Sequence, residues 1–172
     1  MSSPTESALP PMVSYFHEGL GLSLQVPESW HGQLMEGAHF RILGPEQANF
    51  ASYRPTMDIR AGVPDGQGDE WLKGMFAQAG EKMAASYPEF HLDREERFLL
   101  SSQEPVYVRH YRWRDQNSGL QFVQLQALML QDAETLFLVN AATLRPLEAE
   151  HMPIFETILH SFRLIPAETS AS

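Results

Sequence analysis

Seven histidines stand at His17, His31, His39, His91, His110, His151 and His160, and their spacing decides what they can do. No His-x-His, His-Glu-x-x-His or His-x-x-x-His pattern occurs, so no two imidazoles share a local metal site. Glu148 and His151 would share a helix face at i and i+3 if one helix covers both, and a solvated face is the plainer reading of that pair. The chain has no cysteine, which removes thiol nucleophiles, thiolate zinc sites and disulfides. Serines fall mainly in the termini and in turns such as Ser101-Ser102 and Ser118. No Gly-x-Ser-x-Gly elbow presents one of them as a nucleophile. The glycine-rich phosphate loops are absent as well, so nucleotides find no local cradle. No catalytic residue, cofactor or metal ligand is therefore assigned. An enzyme or small-molecule site would have to be assembled from distant His, Asp and Arg residues.

A recognition surface is the better candidate. Over Val106 to Arg114, one face of a strand would present Tyr107, Arg109, Tyr111 and Trp113, and the other Val106, Val108, His110 and Arg112. Aromatic rings supply contact area and arginine supplies polar anchors, the mixture used by peptide-binding and ligand-binding surfaces. Tyr107, Arg109, Tyr111 and Trp113 are the candidate binding residues. The plainer alternative puts the same strip under a helix, with Tyr and Trp at the edge of the core. Trp30 and Trp71 read as packing groups, and the mixed-sign run Asp93 to Arg97 reads as a solvated strand edge.

The elements that would position this strip follow from periodicity. Leu22, Leu24 and Val26 alternate with Ser23 and Gln25, a half-buried strand ended by Pro27, with Trp30 three residues on. Another strand precedes it from Met12. Gln33–Met35 and Ala38–Leu43 form a hairpin across Glu36-Gly37, and Thr56–Ala61 is a further strand. A helix capped by Asp69 runs to Pro88, its stripe Leu72, Phe76, Ala79, Met83 and Tyr87 facing the core. Phe90–Leu100, Val106–Arg114, Leu120–Leu130 and Thr135–Thr143 are joined by short links, which dictates an antiparallel meander. A last helix, Glu150 to Phe162, must begin near Glu150 if Pro153 is to lie in its first turn. The fold class is thus α+β, an antiparallel sheet flanked by two helices in an α/β/α sandwich.

Bulk properties agree. In 172 residues, 12 Lys+Arg stand against 22 Asp+Glu, a net charge of −10, which excludes nucleic-acid binding by bulk positive charge. At 43% hydrophobic residues the chain can bury a core, and one domain suits its length. That domain is expected over residues 12–165, with flexible termini at 1–11 and 166–172. No apolar run is long enough to span a membrane, and the first residues carry neither basic nor apolar character.

Two segments resemble the PsbP-like superfamily. Leu22-Ser23-Leu24-Gln25-Val26-Pro27-Glu28-Ser29-Trp30 looks like its opening strand, and Phe155, Ile158-Leu159 and Ser161-Phe162 look like its closing helix. The superfamily includes photosystem II extrinsic proteins, a Ran-binding import factor, DcrB-like proteins and the effector-associated (Eag) chaperones of type VI secretion. The resemblance implies an α/β/α sandwich and a non-enzymatic, protein-binding or chaperone-like role, with a type VI effector as one partner. It carries no catalytic residue onto this chain. The lack of a leader and of a lipid-attachment cysteine leads us to expect the cytoplasmic branch. Two other readings stay open: a small-molecule binder or hydrolase built from distant His, Asp and Arg, and a homodimer paired through sheet edges.

Overall fold

The computed structural model describes residues 9–132 and 134–165. Most of the expected loose ends, 1–8 and 166–172, lie outside these residues, while Pro11 accepts a hydrogen bond from Glu28 N (2.9 Å). The elements are β1 (Met12–His17), β2 (Leu22–Pro27), β3 (His31–Met35), β4 (His39–Leu43), β5 (Thr56–Gly62) and α1 (Asp69–Ser86). They continue as β6 (His91–Leu99), β7 (Pro105–Arg114), β8 (Gln121–Gln131), β9 (Thr135–Leu144), α2 (Glu148–His160) and β10 (Arg163–Leu164).

Seven strands form one antiparallel sheet in the order β3-β4-β5-β9-β8-β7-β6. The expected meander is its right half, and the β3–β4 hairpin turns at Gly37, whose φ of +75° only glycine adopts freely. A separate sheet, β1-β2-β10, was not legible as such. Its third strand is two residues long and is recruited from the end of the chain, a pairing no local pattern announces.

The pleat sorts the layers. Val106, Val108, Val123, Leu125, Ala127, Met129, Val139 and Ala141 share a core with Phe155, Ile158 and Leu159 of α2 and with Leu22, Leu24 and Val26 of β2. Trp30 plugs this core edge-on against Phe155, with ring centroids 5.8 Å apart. The opposite face of the sheet carries Tyr107, Leu128 and Leu130, packed on Leu72 and Phe76 of α1. The two helices therefore lie on opposite faces, as the sandwich reading required.

Two helix starts differ from expectation. Gly68, not Asp69, is the N-cap of α1; Asp69 is its first residue and its carboxylate turns to Tyr107 instead. The second helix begins at Glu148, two residues before the start at Glu150 expected from Pro153. The bond Pro153 cannot donate is the one to Ala149 O. Ala149 is exposed, so the missing N–H does not leave a residue of the buried core without its bond.

The sheet's edges are β3 and β6. The latter is exposed over nearly its whole length and carries Asp93 to Arg97 with an irregularity in register between Leu92 and Arg94. Charges and a bulge on an edge strand discourage pairing with another edge.

Candidate functional site

The pleat of β7 sends Tyr107, Arg109, Tyr111 and Trp113 to the α1 side, and α1 roofs most of that strip. Tyr107 is buried; its hydroxyl donates to Asp69 Oδ1 (2.9 Å) and its ring lies 5.6 Å from that of Phe76. Burial pushes its phenol up, helped by Asp69. Arg109 is only 2% exposed. Its Nη1 donates to Gln126 Oε1 (2.8 Å) and its Nη2 to Phe76 O (2.5 Å) and Glu95 Oε2 (3.1 Å). Its guanidinium also stacks 3.8 Å from the centre of the Phe76 ring. Tyr111 is buried and donates to Gln124 Oε1 (2.6 Å), with burial raising its phenol pKa far above the usual value. Trp113 is half-buried, stacked between Tyr87 (4.9 Å) and Phe122 (5.2 Å). Three of the four residues thus fasten the roof, and only Trp113 reaches the boundary of what lies beyond it.

Beyond it, the same face is open. One straight row crosses all seven strands on the α1 side: Glu95, Arg109, Gln126, Asn140, Asp58, Arg41 and Gln33, each opposite the next in register. Helix α1 covers Arg109 and Gln126. Asn140, Asp58 and Arg41 are half-buried and Gln33 is exposed. Asp58 Oδ1 accepts from His39 Nε2 (2.6 Å) and from Arg41 Nε (2.8 Å), so its charge is held in a fixed place on the sheet. Among the described hydrogen bonds none engages the Asn140 side chain. On one flank of the row lie Gln124, Ala142, Thr56 and Leu43, then an aromatic wall in which the Tyr53 ring stands 6.3 Å from Phe122. Tyr53 donates its hydroxyl to Ala142 O (3.1 Å), and burial pushes its pKa up to about 12. The other flank is Leu138, Arg60, His39 and Met35.

Sequence reading placed Tyr107, Arg109, Tyr111 and Trp113 on one face of β7, and α1 covers most of that strip. Which residues of β4, β5 and β9 share one row depends on register across distant strands. That register is not encoded locally.

The chemistry of distant residues can also be read. On the α2 side, His110, Asp93, Arg94, Arg112 and Glu156 do meet at a cleft of about 460 Å³. Every charge there has a partner: Arg112 with Asp93 (3.0 Å), and Arg94 with Glu156. Burial, then Arg94, lowers the His110 pKa against the pull of Glu156 and Glu96. Arg94 Nη2 donates to His110 Nε2 (3.3 Å), which occupies the lone pair a general base would use. The cluster is an ion-pair network fastening β6 to α2. Among the described residues, no group of three or more His, Asp and Glu side chains is placed to hold a metal ion. No helix among them is long and apolar enough to cross a membrane.

An antiparallel sheet with one helix on each face is the α/β/α sandwich that the resemblance implies. No family model matches the sequence, and no curated sequence matches it either. Solved structures do. LpqN of Mycobacterium tuberculosis, described as involved in cell envelope biogenesis, superposes with a TM-score of 0.66 at 16% identity, covering 91% of each chain. The cyanobacterial PsbP of Synechocystis sp. PCC 6803 gives 0.61 at 13% identity over 95% of this chain and 98% of its own. The Ran-binding protein Mog1p of Saccharomyces cerevisiae gives 0.59 at 8% identity over 91% and 97%. At these identities the likeness is one of fold, and this chain has the PsbP-like fold over nearly all of its length.

Proposed function

We propose that the chain is a non-enzymatic binding protein that holds a segment of a partner protein against the open half of the α1 face. The observation that carries this reading is the uncovered stretch of the transverse row, Asn140, Asp58, Arg41 and Gln33, between an aromatic wall and a mixed flank of Leu138, Arg60, His39 and Met35. Such a stretch offers fixed hydrogen-bonding groups within a surface wide enough for a helix or an extended segment. No local catalytic motif competes with it. The finer proposal, that the partner is a type VI secretion effector met in the cytoplasm, rests on the resemblance of Leu22 to Trp30 and of Phe155 to Phe162 to the PsbP-like superfamily, which includes the effector-associated chaperones.

Photocrosslinking in cells tests both levels. A crosslinking residue at Asn140 should trap one specific protein, and the same residue at Lys82, on the exposed surface of α1, should not. Failure to trap any protein at Asn140, or an identical pattern from both positions, overturns the sheet-face reading. A trapped protein unrelated to secretion removes only the effector assignment.

A further inference from the structure

A second concavity lies on the other flank of α1, away from the open half of the sheet. It is a groove of about 630 Å³ between α1 and the edge strand β6, floored by Tyr107 and Arg109. Its two ends differ in chemistry. One end carries Lys73 and Arg97, with Arg109 on the floor beside them; the other is walled by Ala84, Phe90 and Leu92. From Lys73 to Ala84 the helix advances about 16 Å at 1.5 Å per residue, and β6 from Leu92 to Arg97 spans much the same length at about 3.3 Å per residue.

The charges are unequally committed. Lys73 forms no ion pair among the described residues, whereas Arg97 reaches Asp69 at 3.4 Å and lies 5.8 Å from the centre of the Tyr107 ring. Arg109 is paired with Glu95, which is 41% exposed on the edge strand. Glu81 and Glu96 also line the groove, and Glu96 lies 3.7 Å from His110 Nε2. Leu92 is 41% exposed although it lines an apolar wall, the state of a side chain awaiting cover.

We propose that this groove binds one single-chain anionic amphiphile, its carboxylate in the half lined by Lys73, Arg97 and Arg109 and its hydrocarbon tail against Ala84, Phe90 and Leu92. Burial of the tail supplies most of the driving force, as in other apolar pockets of this size. The cations set the sign of the head group, because a carboxylate can share their N–H donors and an ammonium cannot. The proposal is independent of the partner-binding reading, which concerns the opposite flank of α1.

Calorimetric titration of the full chain with decanoate, decyl maltoside and decyltrimethylammonium, each below its micellar concentration, tests it. Decanoate should bind once per chain and at least tenfold more tightly than the cationic surfactant, with the maltoside between them. Ala84→Trp fills the tail half at an exposed helix position and should weaken decanoate at least tenfold. Lys73→Glu should weaken decanoate severalfold and leave the maltoside unchanged, while Glu95→Gln should tighten decanoate. Absence of decanoate binding, equal binding of the cationic surfactant, or indifference to both Ala84→Trp and Lys73→Glu would overturn it. Anionic vesicles without free decanoate serve as a further arm. Binding to them that survives Ala84→Trp would assign any lipid response to the surface rather than the groove, and would count against the proposal.

Discussion

Gly80 of α1 lies directly over Arg109 of β7: a Cβ placed on Gly80 would come within 2.7 Å of Arg109 Nη2 and 2.8 Å of Cζ. Helix and guanidinium approach so closely because the residue between them has no side chain. Arg109 in turn donates to Phe76 O within the helix and to Gln126 on the next strand. One buried arginine thereby joins the roof to the sheet, with Glu95 balancing its charge from the edge.

Gly80→Ala should therefore destabilise the protein. Alanine in a helix interior gains about 1 kcal/mol over glycine, but overpacking against a fixed side chain costs roughly 1–3 kcal/mol. A net loss of up to about 2 kcal/mol is expected from urea unfolding. Gly74 sits in the same helix, and nothing approaches its position within 4 Å. Gly74→Ala should instead gain about 0.5–1 kcal/mol. Equal effects at the two sites would contradict the close approach.

The same pair marks the limit of what sequence conveys here. The stripe Leu72, Phe76, Met83 placed α1 on a sheet, and the alternation on β7 put Tyr107, Arg109, Tyr111 and Trp113 on one face. Periodicity assigns a residue to a face but not the face to water or to a helix. Gly80 carries no periodic signal at all; its meaning appears only once Arg109 is opposite it. Pro153 misled for a related reason: it forbids one hydrogen bond, and that loss is harmless where the residue left without it is exposed. The row from Glu95 to Gln33 needed six registers at once, and short links implied only four of them, three within the β6–β9 meander and one in the β3–β4 hairpin.

Trp113 separates packing from recognition. Its ring is stacked on both faces, yet its Nε1 is buried with no hydrogen-bond partner. Trp113→Phe keeps the stack and removes an N–H that was left unsatisfied, so thermal stability should change by less than about 1 kcal/mol. Trp113→Ala opens the wall and should cost about 2–4 kcal/mol. Tyr111→Ala should unfold the roof's edge rather than report on partner binding, because Tyr111 is interior and holds Gln124.

Stability should fall on mild acidification. Burial lowers the pKa values of both His110 and His151. His151 is 1% exposed; its Nδ1 bonds Thr143 Oγ1 (2.6 Å) and its Nε2 has no partner, so an added proton would find no acceptor. Because the folded pKa values lie below the unfolded value near 6.5, only the unfolded chain takes up these protons as pH drops through that value. The stabilisation is complete above the unfolded value and is lost progressively below it, at up to about 1.4 kcal/mol per pH unit for each histidine. Urea unfolding at pH 7.5, 6.5 and 5.5 should show this slope, and the double variant His110→Gln/His151→Gln should flatten it. A variant as pH-sensitive as the parent would place the acid response elsewhere.

Asn140 and Asp58, opposite one another on β9 and β5, should respond differently when truncated. Asp58 fixes His39 and Arg41 at once, so Asp58→Ala frees a buried imidazole and a half-buried guanidinium and should cost about 1–3 kcal/mol of stability. Any loss of partner binding in that variant would be ambiguous. The Asn140 side chain makes no described hydrogen bond and is half-buried, so Asn140→Ala should leave stability within about 0.5 kcal/mol. If the open half of the sheet holds the partner, the lost amide should still weaken binding about tenfold, since one well-placed hydrogen bond contributes roughly 0.5–1.5 kcal/mol. Paired measurements of unfolding and of affinity for the crosslinked partner decide the matter. A stable Asn140→Ala variant with undiminished affinity would move the partner off this row, whereas a stable variant that binds weakly would fix the centre of the site between β9 and β5.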